Sequence, residues 1–338
     1  MSEPHDPVLA SVPLSQQWPT LDPFLFCAHH NDAYPAGDGT MAPAASLGGR
    51  AIGSDFSDRD GWSMYHGSTV PGFPQHPHRG FETITFARKG LIDHADSLGA
   101  TARFGRGDVQ WMTAGSGIVH AEMFPLVKTE EPNPTELFQV WLNLPAVDKM
   151  VDPYFTMLWD ETIQRLELDG GGSVTVIAGR LDDVDAPTPP PNSWAARDEA
   201  NIGMWHVVLP AGGRWALPPT TEDTGRIVYL YEGNGLEVGP HAFPQNTGVQ
   251  VDPTVPVVLQ ATDEPVECLV LQGRPIGEPV AQHGPFVMNT REEIEQAFRD
   301  YRETEFGGWP WHRDDPVHDA SDGRFAVHAD GRREEAPA

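Results

Sequence analysis

The sequence predicts an all-β protein built as a duplicated barrel, closed by one helix and an extended tail. Three observations lead there. Glycine and proline are abundant, 34 and 33 of 338 residues, and apolar runs are short, which favours strands and turns over a helical bundle. Several segments alternate with period two and are rich in β-branched or aromatic residues. Two β-rich blocks of similar length and style follow one another around Gly170-Gly171-Gly172, although no internal repeat shows by identity. With 39% hydrophobic residues, the chain is long enough for one large or two ordinary domains. The expected division is a first barrel over residues 1–165, a second over 166–289, and a helix with its tail over 290–338.

Taken in order, residues 1–20 are proline-rich and polar and read as an arm. Residues 23–27 form a short apolar run, a first strand, and residues 31–49 look like a long loop rich in Gly, Ala and Pro. Residues 81–86 alternate as a strand should. Residues 108–112 and 137–144 are further strands. In the last of these Phe138, Val140, Leu142 and Leu144 share one face, and the mixed face with Gln139, Trp141 and Asn143 suits a cavity wall. The second block supplies strands at 173–178, 203–209, 226–232, 255–260 and 266–272, with a proline-rich loop at 187–191. One helix stands out. Thr290-x-x-Glu293 is a capping box, Ile294, Ala297, Phe298 and Tyr301 make an apolar stripe at helical spacing, and Gly307-Gly308 and Pro310 end it. The tail is expected to dock through its aromatic first half and to leave its last dozen residues mobile.

Composition excludes some functions. The formal net charge is −27. Lys89, Lys128 and Lys149 are the only lysines. Such a chain is repelled by phosphates and anionic lipid unless a basic patch overrides the field. The densest basic group, Arg79, Arg88, Lys89, Arg103 and Arg106, is interleaved with acids, so direct nucleic-acid binding is not expected. Cys27 and Cys268 are too few for a disulfide scaffold and read as reduced, buried thiols. No signal peptide and no apolar run of membrane-spanning length is visible, so the expected location is cytoplasmic, with no membrane contact.

Chemistry converges on four residues, His76-x-His78 and His120-x-Glu122. Side chains two apart on a strand point to the same face, so each pair aims two ligands at one point. Glycines flank both pairs, as where strands bend toward a barrel interior. Three imidazoles and one carboxylate suit Fe, Mn, Co, Ni, Cu or Zn. On an octahedral ion they leave two positions open, close to the two-His, one-carboxylate arrangement of non-haem iron oxygenases, so Fe(II) is the first choice. Glu82 shares the parity of His76 and His78 if no bulge intervenes at Gly80, and is a candidate ligand or supporting residue. His94 and Asp96 share parity and are candidates for support of the ligands. His29, His30, His66, His206, His241, His283, His312, His318 and His328 read as packing or hydrogen-bonding residues.

The runs His76-Pro77-His78-Arg79-Gly80-Phe81-Glu82-Thr83 and Gly107 to Glu122 (GDVQWMTAGSGIVHAE) closely resemble the pirin family, bicupin proteins of the cupin superfamily. Asp22-Pro23-Phe24 and the pattern from Phe286 to Thr290 add to the likeness. The resemblance implies two jelly-roll-like antiparallel barrels. It implies a metal, iron, held in the first by His76, His78, His120 and Glu122, and a metal-free second barrel. Glu82 takes the place of the general cupin glutamate, which pirins do not normally use as a ligand. The chain is longer than a typical pirin. The extra sequence at 27–60 and after 305 is expected to cover the pocket mouth or to make an oligomer contact.

Two functions follow from that resemblance. One is a quercetin 2,3-dioxygenase-type oxygenase acting on a flavonol or similar enol-containing aromatic with O2. In it Glu122 shifts between ligand and catalytic base, and Glu82 is the fallback base. The other is a non-catalytic, metal- or redox-sensitive regulatory partner of a metabolic enzyme or of the transcription machinery, with Arg79 as a candidate contact for the protein partner.

Overall fold

The computed structural model describes residues 5–337. Residues 1–4, the start of the expected arm, and residue 338, the end of the tail, lie outside them. Among the described residues the chain is made of antiparallel strands with one α-helix, Arg291–Thr304. It divides into two compact units that interleave along the sequence. One comprises the described residues up to Ala28 with Thr162–Gly277, and the other His29–Glu161 with the described residues from Glu278 onward. This differs from the consecutive division at 165/166 and 289/290. The physical reason is strand pairing. The expected N-terminal arm contains the strand Val8–Pro13, which pairs with Thr247–Val251, and the C-terminal segment pairs with the strand Thr101–Gly105 through Phe325–Val327.

In the first unit a seven-stranded sheet runs in the order Val8–Pro13, Thr247–Val251, Gly225–Glu232, Val266–Gly273, Gly203–Leu209, Ser173–Ala178 and Arg165–Glu167. A four-stranded sheet, Arg214–Leu217, Val257–Ala261, Leu236–Val238 and His241–Phe243, completes it. Their alternating apolar residues, among them Val176, Trp205, Leu217, Val228, Leu259 and Val270, form one buried core. Cys27 and Cys268 are free and buried here, and burial pushes both thiols well above their ordinary range.

In the second unit one sheet runs Tyr154–Leu158, Asp108–Thr113, Phe81–Lys89, Thr135–Asn143 and Phe24–Asp32, the strand along which the chain enters the unit. The other runs Arg333–Glu335, Phe325–Val327, Thr101–Gly105, Leu91–Asp96, Ile118–Met123 and Gly72–His78. The tail therefore stays paired as far as Glu335. Arg333–Glu335 pairs with Phe325–Val327, in the stretch expected to be mobile, because an exposed sheet edge offers unpaired backbone groups to it. Arg103, wholly buried, anchors the tail. It pairs with Asp93 and donates to the carbonyls of His318, Asp319 and Asp322.

The helix forms as its sequence requires. Thr290 accepts from the Glu293 amide and the Glu293 side chain accepts in return. This satisfies donors that would otherwise be orphaned at the first turn, at about 1 kcal/mol for the cap. Ile294, Ala297, Phe298 and Tyr301 bury the stripe against Phe286 and Met288. No helix among the described residues is long and apolar enough to cross a membrane.

Candidate metal centre

The strands Gly72–His78 and Ile118–Met123 lie side by side, and their register sets His76 opposite His120 and Phe73 opposite Glu122. A register shift between Phe73 and His76 turns both histidines inward. His76, His78 and His120 each offer a ring nitrogen, and the three nitrogens lie within 4.8 Å of one another. That is close to the span of about 4 Å across a cation with bonds of about 2.1 Å. The Glu122 carboxylate is not one of the converging group and lies beside it, its Oε2 3.9 Å from His120 Nε2.

Burial sets the chemistry of this group. His78 and His120 are held well below the ordinary imidazole range and His76 is lowered to about 4, in each case mainly by desolvation. All three are therefore neutral at pH 7, the form that carries a ligating lone pair. His76 Nδ1 lies 2.9 Å from the Pro74 carbonyl, which fixes Nδ1 as the protonated nitrogen and leaves Nε2 bare. His78 Nδ1 has a longer contact, 3.4 Å, to the Pro285 carbonyl. His120 is wholly buried and neither ring nitrogen has a hydrogen-bond partner. An unsatisfied buried imidazole costs about 1–3 kcal/mol, and a bound cation removes that cost, so the residues fit a metal ion. Burial raises the Glu122 carboxyl to about 7, against the opposing charge of His94 and a hydrogen bond from Thr85. A cation in the group would favour its ionised form.

The wall around the three histidines and Glu122 is polar. Thr85 Oγ1 donates to Glu122 Oε1 at 3.1 Å, and Gln139 Nε2 donates to Oε2 at 3.0 Å. His94 Nε2 donates to Asp96 Oδ2 at 3.2 Å, and Gln110 Nε2 lies 2.8 Å from His94 Nδ1. The strand Leu91–Asp96 runs beside Ile118–Met123, with His94 opposite Glu122 and Asp96 opposite His120. His94 and Asp96 thus back the strand that carries His120 and Glu122. Trp141 packs edge-on to His78, ring centres 5.5 Å apart, so the mixed face of Thr135–Asn143 lines the site through Gln139 and Trp141.

Glu82 does not join the site. Gly80, with φ +85°, turns the chain from one sheet into the other, and the parity count across it fails. The inward face of Phe81–Lys89 carries Phe81, whose ring centre is 5.1 Å from that of His78, Thr83, opposite Trp141, and Thr85. Glu82 alternates to the opposite face, where it accepts from Thr113. Arg79 is likewise not a surface contact. It is 5% exposed, donates to the Ser116 carbonyl and to Asp300, and lies over the Phe306 ring. The basic group is neutralised elsewhere too, since Arg88 and Lys89 meet the buried Glu136.

Comparison with known proteins follows the same lines. Residues 8–142 match the family model described as Pirin, and residues 204–307 match the Pirin C-terminal cupin domain. A Pseudomonas aeruginosa protein, provisionally named a quercetin 2,3-dioxygenase, is 42% identical over 237 residues, 69% of this chain and 80% of that one. The chain belongs to the pirin family. A pirin-like protein of Caulobacter vibrioides is 38% identical over 252 residues, 75% of this chain and 85% of the relative. The crystal structure of a quercetin 2,3-dioxygenase from Acinetobacter baumannii aligns with a TM-score of 0.71 at 25% identity, covering 89% of this chain and 98% of that one. As a pirin, the chain is a bicupin, and its converging histidines lie within the Pirin match.

His30, expected as a packing or hydrogen-bonding residue, does hydrogen-bond, and its partners Asp32 and Tyr65 were not singled out from the sequence. His30, Asp32 and Tyr65 form a hydrogen-bonded series beside Phe73, itself next to His76. No spacing rule signals it, because Tyr65 comes from a separate segment.

Proposed function

We propose that this pirin is a mononuclear metal-dependent oxygenase of the quercetin 2,3-dioxygenase type, taking a flavonol or similar enol-bearing aromatic and O2. The observation that carries this reading is the convergence of three neutral imidazoles, two of them buried, beside Glu122. The naming of its relatives supplies the substrate class. His76, His78, His120 and Glu122 would hold the ion, with Fe(II) favoured over Mn, Ni, Co, Cu or Zn. When bound, the ion supplies Lewis acidity toward an enol oxygen and open positions for small ligands.

The protein's own groups do the rest. Glu122, whose carboxyl a bound cation would keep ionised, stands 3.9 Å from His120 Nε2 and is placed to take the enol proton. Thr85 and Gln139 hold its two oxygens in place. Trp141 beside His78 and Phe73 beside His76 offer apolar ring surface. Glu82, facing away, is no substitute base. The regulatory reading loses its named contact with the burial of Arg79, and no observation favours it.

The test is metal analysis of protein purified without added metal, paired with aerobic bleaching of quercetin. His120→Ala should abolish both metal and bleaching. Glu122→Gln should retain part of the metal and lose turnover. Equal bleaching by wild type and Glu122→Gln would refute the role given to Glu122, and metal-free wild type that bleaches quercetin would refute the site.

A further inference from the structure

The site has an open side. His78, His120 and Glu122 are buried, whereas His30, Phe73, His76, Gln139 and Trp141, all close to the group, are half-buried. Side chains that face a barrel interior yet still touch solvent mark its mouth. His30 belongs to this rim by strand alternation. Its neighbour His29 stacks on Phe138 and pairs with Glu136 on the outer face, so His30 points to the face that carries Gln139 and Trp141.

His30 is held in one tautomer. Tyr65 Oη donates to Asp32 Oδ2 at 2.8 Å, and Asp32 Oδ1 accepts from the Ser63 amide at 2.8 Å. With its proton committed to Asp32, Tyr65 Oη accepts from His30 Nδ1, 2.9 Å away. His30 Nε2 is left as a lone-pair acceptor. Tyr65 itself is pinned. Its backbone sits at φ +55°, a conformation a bulky residue rarely adopts. It exchanges two backbone hydrogen bonds with Asp55, each 2.8 Å. The Tyr65 ring stacks on Phe73 at 5.1 Å, and Phe56, 43% exposed, meets both Tyr65 and Phe73 edge-on or tilted. An aromatic wall and a fixed hydrogen-bond acceptor thus stand together at the mouth, next to His76.

We propose that His30 Nε2 is a recognition point for a hydroxyl group of a planar polyphenol whose ring lies against Phe73 and Phe56, while its enol end reaches the histidine group. Asp32 and Tyr65 are positioning residues that keep Nε2 in its acceptor form. This rests on the oxygenase reading and names the part of the substrate that the metal ligands do not read. The segment supplying Phe56 and Tyr65 thereby acquires a role in selecting hydroxylated ligands.

The experiment is anaerobic binding to metal-loaded protein, followed by tryptophan fluorescence, with quercetin and with 3-hydroxyflavone, which keeps the enol and lacks the outer hydroxyls. Wild type should prefer quercetin by about tenfold, as one well-placed hydrogen bond allows. In His30→Leu the preference should fall to near unity, with 3-hydroxyflavone binding unchanged. In Tyr65→Phe, which keeps the ring and drops the hydroxyl, the preference should shrink several-fold. An unchanged preference in both variants overturns the assignment of His30. Failure of wild type to bind either flavonol overturns the flavonol reading itself, and the ligand class of this subsite with it.

Discussion

Arg79 Nη1 lies 2.6 Å from Asp300 Oδ2, so the residue that follows the His76-x-His78 pair is tied directly to the C-terminal helix. Phe306 completes the tie. Its ring lies under the Arg79 guanidinium and fills the space where a Cβ on Gly117 would stand, 2.5 Å away. Both strands that carry the converging histidines are thus braced by a segment about two hundred residues further along the chain. Asp300→Ala leaves a buried guanidinium without its counter-charge. We expect a loss of about 1–2 kcal/mol, discounted because Asp300 is partly exposed, read as a lower denaturant midpoint with faster amide exchange in Arg291–Thr304. Gly117→Ala, at φ +137°, should loosen the same helix from the other side.

Glu122 depends on two neutral donors. Gln139→Leu and Thr85→Val each remove one of its hydrogen bonds. Loss of partners to a ligating group typically weakens metal binding by about 10–100-fold. Titration of stripped protein with Fe(II), followed by calorimetry, should show weaker binding in each variant with unchanged far-ultraviolet circular dichroism. Equal affinity in the double variant would show that Glu122 is not held through these contacts.

Acid should unfold this protein through Glu136 and Asp55. Burial pushes the Glu136 carboxyl up, but hydrogen bonds from His29 and Lys89 and the charge of Arg88 prevail and bring it from 4.5 to about 2. Asp55 behaves alike. Burial is outweighed by Ser57, the Met64 amide and Arg50, and its carboxyl falls from 3.8 to about 2. A depressed folded-state value means stability that is complete above the unfolded values and is lost as pH falls toward 2. The melting temperature should therefore drop between about pH 4.5 and pH 2. Glu136→Gln should be less stable than wild type at pH 7, and the gap should close at the acid end. A constant gap would contradict the linkage.

Lys149, 1% exposed, donates to the Gly80 carbonyl at 2.8 Å, to Asn143 Oδ1 at 2.6 Å and to the Val287 carbonyl at 3.3 Å. Burial lowers its amine to about 8, against the charges of Glu278 and Glu293. Lys149→Met keeps the volume and abandons three acceptors, so a loss of about 2–4 kcal/mol is expected, together with weaker metal retention because Gly80 ends the turn after His78. Full stability in that variant would mean that water replaces the amine.

Much of the site is legible in the primary structure because its chemistry repeats at the strand period. His76 with His78, and His120 with Glu122, share a face whatever the strand's neighbours are. The capping box at Thr290 and Glu293 is just as local, and the observed helix begins where it predicts. Glu82 shows the limit. Parity counting holds only within one strand, and the turn at Gly80 divides two strands that belong to different sheets.

What local sequence settles here is which side chains share a face: His76 with His78, His120 with Glu122, the mixed face of Thr135–Asn143 and the buried stripe of the helix. These follow from backbone geometry over a few residues. Folding alone brings Tyr65 to His30, Asp300 to Arg79 and the tail to the edge at Thr101–Gly105, and it alone turns Glu82 away. Such neighbours depend on which sheet edges find each other across long stretches of chain, and on which buried polar groups must be satisfied once they do. No short-range propensity encodes that choice.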